Sequence, residues 1–557
     1  MFDHPELVAE LVSYLSPKDM ARCVATCKTF ASIFEPYLYR QVDLAYRNPT
    51  MYALPRCFHH VRILRIHDYY LDSCLEDLVG AMNASESTAP TAAVTSTGMT
   101  NLQRLTISIS SGIDGYSQVA LNTIISILDN NSRLTHLELQ MYGDLLESSV
   151  GPRLLDIMRS GLPRLQRLVL KGYHVFPVIR ALEALEICLG HPNLTDVQFY
   201  TRDRHHFSRE QDLIGQTLFD PLLEFLNGLD KAGTQFQETN GCQLTSLVLP
   251  YIIGGYPRSF LLPLLRTHLP HLERFEVPVL DGPYESELEE VVAGHCRNLQ
   301  HVSYTFRNWM GRNSSVIEAV IRGCSRWNGL KSIRITSCDA RFHIDSSRRL
   351  VETLVEHHSK TLESVELQGW DSEGVSHHVL DPIFTGCRNL KSFKVLPENK
   401  GSATFMFFAH TPTDPWVFQG IKELHLYFVQ KYLYREDIEA AEQELEAGER
   451  MFEQIGKLIH LETLVLDFSD YRYHAPSEWD LDDSIEDEWL KELAGLDKLR
   501  YLCMPSRCWG EEQLSPFIDS SWPRLEKVCS WDPNGRIFKW LKAQRPWLEF
   551  VSEGRIT

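Results

Sequence analysis

One short hydrophobic rhythm, apolar-x-x-apolar-x-apolar, runs through the chain from end to end. It reads VRILRI from Val61, LQRLTI from Leu102, LTHLEL from Leu134, LQRLVL from Leu165, LTDVQF from Leu194 and LTSLVL from Leu244. It continues with LERFEV from Leu272, LQHVSY from Leu299, LKSIRI from Leu330, LESVEL from Leu362 and LKSFKV from Leu390. IKELHL from Ile421, LETLVL from Leu461, LRYLCM from Leu499 and a decayed LEKVCS from Leu525 complete the series. Ten of the fourteen steps between units lie between 26 and 32 residues, a beat that scattered apolar residues would not keep. Inside a unit the alternation is that of a strand. The first, fourth and sixth positions turn to a core, and the third, fifth and seventh turn away. Between units the apolar spacing becomes helical. Val119, Ile124, Ile127 and Leu128 share one side of residues 119–130, and Leu288, Val291 and Val292 do so in 287–296.

The return from helix to strand is also repeated. Pro-x-Leu opens the units at Leu165, Leu194, Leu272 and Leu525, where proline ends a helix. Two other units use GHCRNLQ (294–300) and GCRNLKS (386–392), with a glycine suited to a left-handed helix end and a cysteine suited to fill space behind the strand. Cys296, Cys324 and Cys387 are accordingly read as core filler. One strand and one helix per unit cannot bury their own apolar faces, but stacked units share a continuous core. The pattern resembles the leucine-rich repeat in its longer, helix-containing form. That resemblance implies an α/β solenoid curved into a horseshoe, with parallel strands inside and helices outside. It spans 61–531 in about fifteen units, after a linker at 46–60 and before a C-terminal cap at 532–557. A last turn of the solenoid is expected at Pro546–Val551. The long steps hold insertions near 83–100, 201–243, 428–457 and 470–495. Two of them carry charged stretches, 435–454 and 478–493, which read as solvated helix faces or as an acidic ridge for a basic partner.

The first forty-five residues break the rhythm. Leu7, Val8, Leu11, Val12 and Leu15 recur at three- and four-residue steps and predict one amphipathic helix. Ser16 then caps a second helix with Pro17 at its first position, and Met20, Cys23, Val24 and Cys27 form its apolar stripe. A third helix follows from Thr29 with Phe30, Ile33 and Phe34. Three short helices make a small core, of the kind completed by a neighbour or a partner. The segment resembles an F-box. Pro5, Glu6, Leu7, Val8, Leu11, Tyr14 and Leu15 match the family's opening, and Pro17, Asp19 and Met20 match its turn. Cys23, Cys27, Lys28 and Phe30 match its middle, and Pro36, Leu38 and Tyr39 its end. His4 stands where leucine or isoleucine is usual, and Phe30 and Tyr39 where tryptophan is common. The resemblance implies docking to a Skp-type adaptor and through it to a cullin RING ubiquitin ligase. Pro5, Leu7, Val8, Leu11, Leu15 and Pro17 would be the adaptor-binding residues, and the repeats would recruit a protein substrate. Chains of this F-box-plus-repeat style are similar to a family expanded in fungi. The rival reading is a repeat scaffold with no ubiquitin role.

Composition adjusts this picture at its edges. Acidic residues outnumber basic ones by 74 to 55, a net charge of −19. That balance speaks against a nucleic-acid or anionic-membrane partner, which a basic surface would serve. There is no long unbroken apolar run and no CxxC among 13 cysteines. The first three charges are acidic, so a signal peptide is not expected, and a reduced, soluble, cytoplasmic or nuclear protein is. The sequence holds no phosphate loop, dinucleotide fingerprint, nucleophile elbow or zinc-protease motif, so no enzymatic activity, cofactor or metal is expected. Four adjacent histidine pairs, starting at His59, His205, His357 and His377, place their rings on diverging directions unsuited to joint chelation. A partner is expected on the outward strand positions, where Tyr200, Arg274, Arg334, Lys394, Tyr427 and Trp531 are the residue types that dominate interfaces.

Overall fold

The computed structural model describes residues 4–45, 57–68, 100–109, 118–141, 150–172, 178–201, 224, 242–249, 258–278, 284–306, 314–337, 344–368, 377–396, 415–428, 449–468, 491–503, 521–530 and 536–552. The chain divides into two compact units, Met1–Leu272 and Glu273–Thr557.

The first unit opens with three helices, α1 (Pro5–Ser13), α2 (Pro17–Thr26) and α3 (Lys28–Leu38). Seven strands follow: β1 (Gln41–Ala45), β2 (Ile63–Asp68), β3 (Arg104–Ile109), β4 (His136–Met141), β5 (Arg167–Gly172), β6 (Asp196–Thr201) and β7 (Ser246–Val248). Each pairs in parallel with the next. Between them lie α4 (Gln118–Asp129), α5 (Gly151–Asp156) and α6 (Val178–Gly190), and α7 (Arg258–Pro263) comes after β7. The sheet thus begins at β1, inside the segment read as F-box and ahead of the first repeat at Val61. Val42 and Leu44 are buried there, and so is Phe58, in a stretch read as linker.

The second unit repeats the scheme with ten strands. These are β8 (Arg274–Pro278), β9 (His301–Phe306), β10 (Ser332–Ser337), β11 (Ser364–Gln368) and β12 (Ser392–Leu396), then β13 (Glu423–Phe428), β14 (Thr463–Phe468), β15 (Tyr501–Cys503), β16 (Lys527–Ser530) and β17 (Glu549–Ser552). Again each is parallel to its successor. Helices α8 (Glu285–His295), α9 (Ser314–Cys324), α10 (Ile344–His358) and α11 (His377–Gly386) pack successively against one another. The last helix, α12 (Arg536–Gln544), leads into β17, where a final solenoid turn was expected. Parallel strands need a crossover on every connection, and among the described residues these helices supply the crossovers after β3–β5, β8–β11 and β16.

The rhythm explains the register. The fourth and sixth positions are sealed: Leu64 and Ile66, Leu137 and Leu139, Ile333 and Ile335, Val365 and Leu367 are each at most 1% exposed. Consecutive units are locked by a repeated backbone bond, from the amide at the second position to the carbonyl at the same position one unit earlier. Gln166 to Thr135, Lys331 to Gln300 and Glu363 to Lys331 are examples at 2.7–2.8 Å. The filler position behind the strand is buried as expected, with Cys296 at 1% and Cys387 at 0% exposure. Burial pushes both thiols up to about 12, so neither is a nucleophile near neutral pH.

The glycines before these cysteines depart from expectation. Neither Gly294 nor Gly386 has a positive φ; among the described residues only Gly329 (φ 73°) and Trp522 (φ 53°) do. Gly294 and Gly386 lie within the last turns of α8 and α11. At Gly386, and at Gly323 at the end of α9, the reason for glycine is helix proximity. A Cβ on Gly386 would stand 2.7 Å from Val355 Cγ1, and one on Gly323 2.8 Å from Val292 Cβ.

Candidate functional site

Local chemistry sets the three N-terminal helices. Pro5 and Pro17 occupy first-turn positions, where the missing N–H costs nothing. Ser16 Oγ accepts the Asp19 amide at 3.2 Å and donates to the Asp19 carboxylate at 2.6 Å, a closed cap on α2. α2 ends at Thr26. Cys27, which the apolar spacing placed in the stripe of α2, is instead exposed and caps α3, its Sγ accepting the Phe30 amide at 3.4 Å. Around α3 the core consists of Val8, Met20 and Phe34, with Phe30 edge-on to Phe34 at 5.8 Å.

This core divides the residues expected to meet an adaptor. Val8 is 5% exposed and belongs to the segment's own interior. It is withdrawn from the docking set, because one residue step rotates a helical side chain by about 100° and only one of Leu7 and Val8 can face out. Leu7 is 45% exposed, Leu11 and Leu15 are half-buried and Pro17 is exposed. Pro5 stands at the first position of α1. Tyr14, just beyond α1, is 80% exposed. The helical period lines it up with Leu7 and Leu11, at steps of four and three, a signal the sequence carried although Tyr14 was not among the expected docking residues.

The outward strand positions form a second surface, patterned by cross-strand ion pairs. In the first unit Arg65 faces Asp43 at 3.6 Å, Arg167 meets Asp196 at 3.2 Å and Lys171 meets Glu138 at 2.6 Å. Tyr200 is half-buried on β6, across from Lys171. In the second unit a row at the fifth position runs Glu276, Ser303, Arg334, Glu366, Lys394, His425 on β8–β13. Arg334 binds Glu366 at 2.9 Å and Lys394 binds Glu423 at 2.7 Å. The His425 ring stands 3.5 Å from Glu423, and Lys394 and Ser392 donate to it. Together they hold the Glu423 carboxyl down to about 2 against the opposing effect of burial. Arg274 on β8 is exposed, with no acceptor in hydrogen-bond reach among the described residues. Tyr427 lies on β13 opposite Asp467 of β14, and Trp531 falls outside the described residues.

Beyond β13 the same face changes character. At the fifth position of β14, β15 and β16 stand Val465, Cys503 and Cys529, at most 8% exposed and packed with Tyr501. Burial, with the two thiols beside it, raises the Tyr501 phenol above its ordinary range. From β14 the fifth position is apolar and closed, whereas on β8–β13 it carries polar side chains, of which Ser303 and His425 are themselves buried.

Among the described residues, no three His, Cys, Asp or Glu side chains are grouped to hold a metal. His358 has a structural post: it is 0% exposed, with Nδ1 accepting the Leu330 amide at 3.1 Å and Nε2 donating to the Ile321 carbonyl at 2.8 Å. Asn131 and His191 hold equivalent turns in the first unit, bonding to Ile127 and Leu102, and to Leu162 and Asn193. These polar residues replace the apolar filler at the same point of the repeat.

Helical crossovers, parallel strands and a repeating sealed core define an α/β leucine-rich-repeat solenoid, entered through a three-helix module. Residues 5–45 match the F-box-like family, so the chain carries an F-box-like domain at its N-terminus. No curated protein matches the sequence. Among solved structures, the chain is similar to one in the crystal structure of the Rad7 and Elc1 complex in yeast. The identity is 12%, with 81% of this chain and 80% of that chain covered and a TM-score of 0.36. It is also similar to the leucine-rich repeat-containing protein LegL7 from Legionella pneumophila, at 13% identity, 64% and 90% coverage and a TM-score of 0.31.

Proposed function

We propose that this chain is the substrate-recognition subunit of an SCF-type ubiquitin ligase, active in the cytoplasm or nucleus. The F-box-like helices dock a Skp-type adaptor, which joins the chain to a cullin RING ligase. The repeats hold a protein substrate, and the chain itself performs no chemistry on it. The observation that carries this reading is the uncovered apolar edge of α1, Leu7 at 45% and Tyr14 at 80% exposure, on a segment that matches the F-box-like family. A three-helix core that buries Val8 and Phe34 while leaving these two outside gains from a partner. Covering a large apolar side chain contributes about 1.5–3 kcal/mol.

Co-purification with a Skp-type adaptor tests it. Intact protein should capture the adaptor, and the double variant Leu7→Asp with Tyr14→Asp should lower affinity at least about thirtyfold, the loss of one interface hot spot. Both residues are exposed, so the variant should unfold at the same urea concentration as wild type. Failure of the folded wild-type chain to bind the adaptor, or capture unaffected by both aspartates, ends the ligase reading.

A further inference from the structure

A hollow of about 450 Å³ lies at the rim of β14–β17, lined by Glu462, Lys498, Arg500, Arg524, Glu526 and Trp547 among others. The repeat explains how it forms. The residue just before the sealed leucine of each unit sits on the turn and points away from the core. In consecutive units these residues are His460, Lys498, Arg524 and Trp547, preceding Leu461, Leu499, Leu525 and Leu548. One step inside, the second-position residues Glu462, Arg500 and Glu526 form a parallel row.

The two rows differ in how their charges are satisfied. Arg500 binds Glu526 through two hydrogen bonds at 3.1 and 2.8 Å, and Glu462 binds Lys422 at 3.0 Å. Both carboxylates of the hollow therefore already have cations. The outer row has cations to spare. Lys498 donates to the His460 ring at 2.6 Å and is paired with no carboxylate, and Arg524 is exposed without an ion pair or hydrogen bond among the described residues. Beside them Trp547 is 69% exposed, more open than Trp327 at 42%, the other exposed tryptophan among the described residues of this unit. In a chain of net charge −19, two uncommitted cations next to an open indole form a local inversion of the surface.

We infer that this rim is a docking surface for an acidic peptide segment of a partner protein, with carboxylates on Lys498 and Arg524 and an apolar or aromatic side chain against Trp547. The inference deepens the receptor reading by naming a recognition surface, and it places that surface on the turns and not on the outward strand face. Arginine offers a carboxylate two parallel donors, and tryptophan is the side chain that most often anchors an interface. The hollow is large enough for several side-chain groups at once, and its charge pattern suits an extended chain crossing successive units.

The test uses the intact chain and an array of short peptides in four sets: acidic with one aromatic residue, acidic without, neutral with one aromatic residue, and basic with one aromatic residue. The acidic aromatic set should be retained most strongly, and raised salt should weaken retention. Lys498→Glu with Arg524→Glu should reduce that affinity about tenfold or more, and Trp547→Ala by a similar factor. Urea unfolding of the charge-reversed protein should match wild type, which shows that it is folded, and its adaptor capture should be unchanged, which separates this result from the adaptor test. Indifference of the array to peptide charge, or retention unaffected by charge reversal, overturns the inference. Full displacement of peptide by inorganic phosphate at comparable concentration also overturns it, in favour of a small-anion site.

Discussion

Glycine near a helix end can serve the backbone or the neighbour, and two glycines in adjacent repeats separate these uses. Gly294, in the last turn of α8, is exposed, has no positive φ and has nothing within 4 Å of where a Cβ would stand. Gly323, in the last turn of α9, would place its Cβ 2.8 Å from Val292 Cβ and 2.9 Å from the Glu289 carbonyl oxygen, both on α8. Alanine at either position narrows the unfolded ensemble and favours the helix by about 0.5–1 kcal/mol. At Gly294 nothing opposes that gain. At Gly323 the methyl must displace a buried valine and a backbone carbonyl, and overpacking of this kind costs about 1–3 kcal/mol. Moving α9 away would also stretch the Arg322–Glu289 ion pair, 2.8 Å across the same helices. Gly294→Ala should therefore stabilise by about 0.5–1 kcal/mol, and Gly323→Ala should destabilise by about 1–2 kcal/mol.

Urea unfolding of the full chain reads the sign, and hydrogen exchange in α9 reads the location. A solenoid opens locally, so exchange should accelerate first in α9 and its neighbours for Gly323→Ala and slow slightly in α8 for Gly294→Ala. A Gly323→Ala protein as resistant to urea as wild type would refute the close-approach argument. Destabilisation by Gly294→Ala would instead show that this glycine serves the backbone after all.

His358→Ala strands the Leu330 amide and the Ile321 carbonyl in the core and should cost about 2–4 kcal/mol, measured by urea unfolding, whereas the half-buried His357→Ala should stay within about 0.5 kcal/mol. Acid should weaken the fold in two stages. Burial lowers His191 and His358 below 6.5, so the unfolded imidazoles take protons that the folded sites refuse, and stability falls as pH drops through 6.5. Glu423, lowered from 4.5 to about 2, adds a second loss beginning near 4.5. Because its side chain is 35% exposed, solvent screening limits that loss to about 1 kcal/mol. Urea midpoints across this range check both stages, and a midpoint that rises on acidification through 6.5 contradicts the first.

The strands were legible because a period of two, repeated at a near-constant beat, leaves only one register in which every unit seals its fourth and sixth positions. The α2 cap was legible for a similar reason, since Ser16 and Pro17 each favour the same boundary. What escaped the sequence turned on a choice between neighbours. β1 contributes only two alternating apolar residues, Val42 and Leu44, too few to announce a strand before its partner β2 is known. Leu7 and Val8 are equally apolar, and only the packing of α1 on α3 decides which one faces out. Gly294 and Gly386 sit in near-identical local sequences, yet only Gly386 has a helix close enough to require it. Cys27 fits the helical spacing of α2, but a residue in extended conformation at φ −162° and ψ 164° serves α3 as a cap instead.

The outward strand face offered the most obvious basic residues, but counting charges there overstates what a partner can gain. Arg334 and Lys394 already hold Glu366 and Glu423 at 2.9 and 2.7 Å. An incoming carboxylate that takes either cation leaves a glutamate of the chain unpaired, so one contact is exchanged for another of the same kind and the net Coulombic gain is near zero. Among the described residues Arg274, Lys498 and Arg524 hold no carboxylate, so a new one there displaces only water or, at Lys498, a ring nitrogen. The uncommitted cation, and not the most centrally placed one, is where binding energy is left to collect. On that reasoning the in-register pairing along β8–β13 stabilises the sheet, and the outer turn row beside β15 and β16, whose Lys498 and Arg524 hold no carboxylate among the described residues, is left open to a partner.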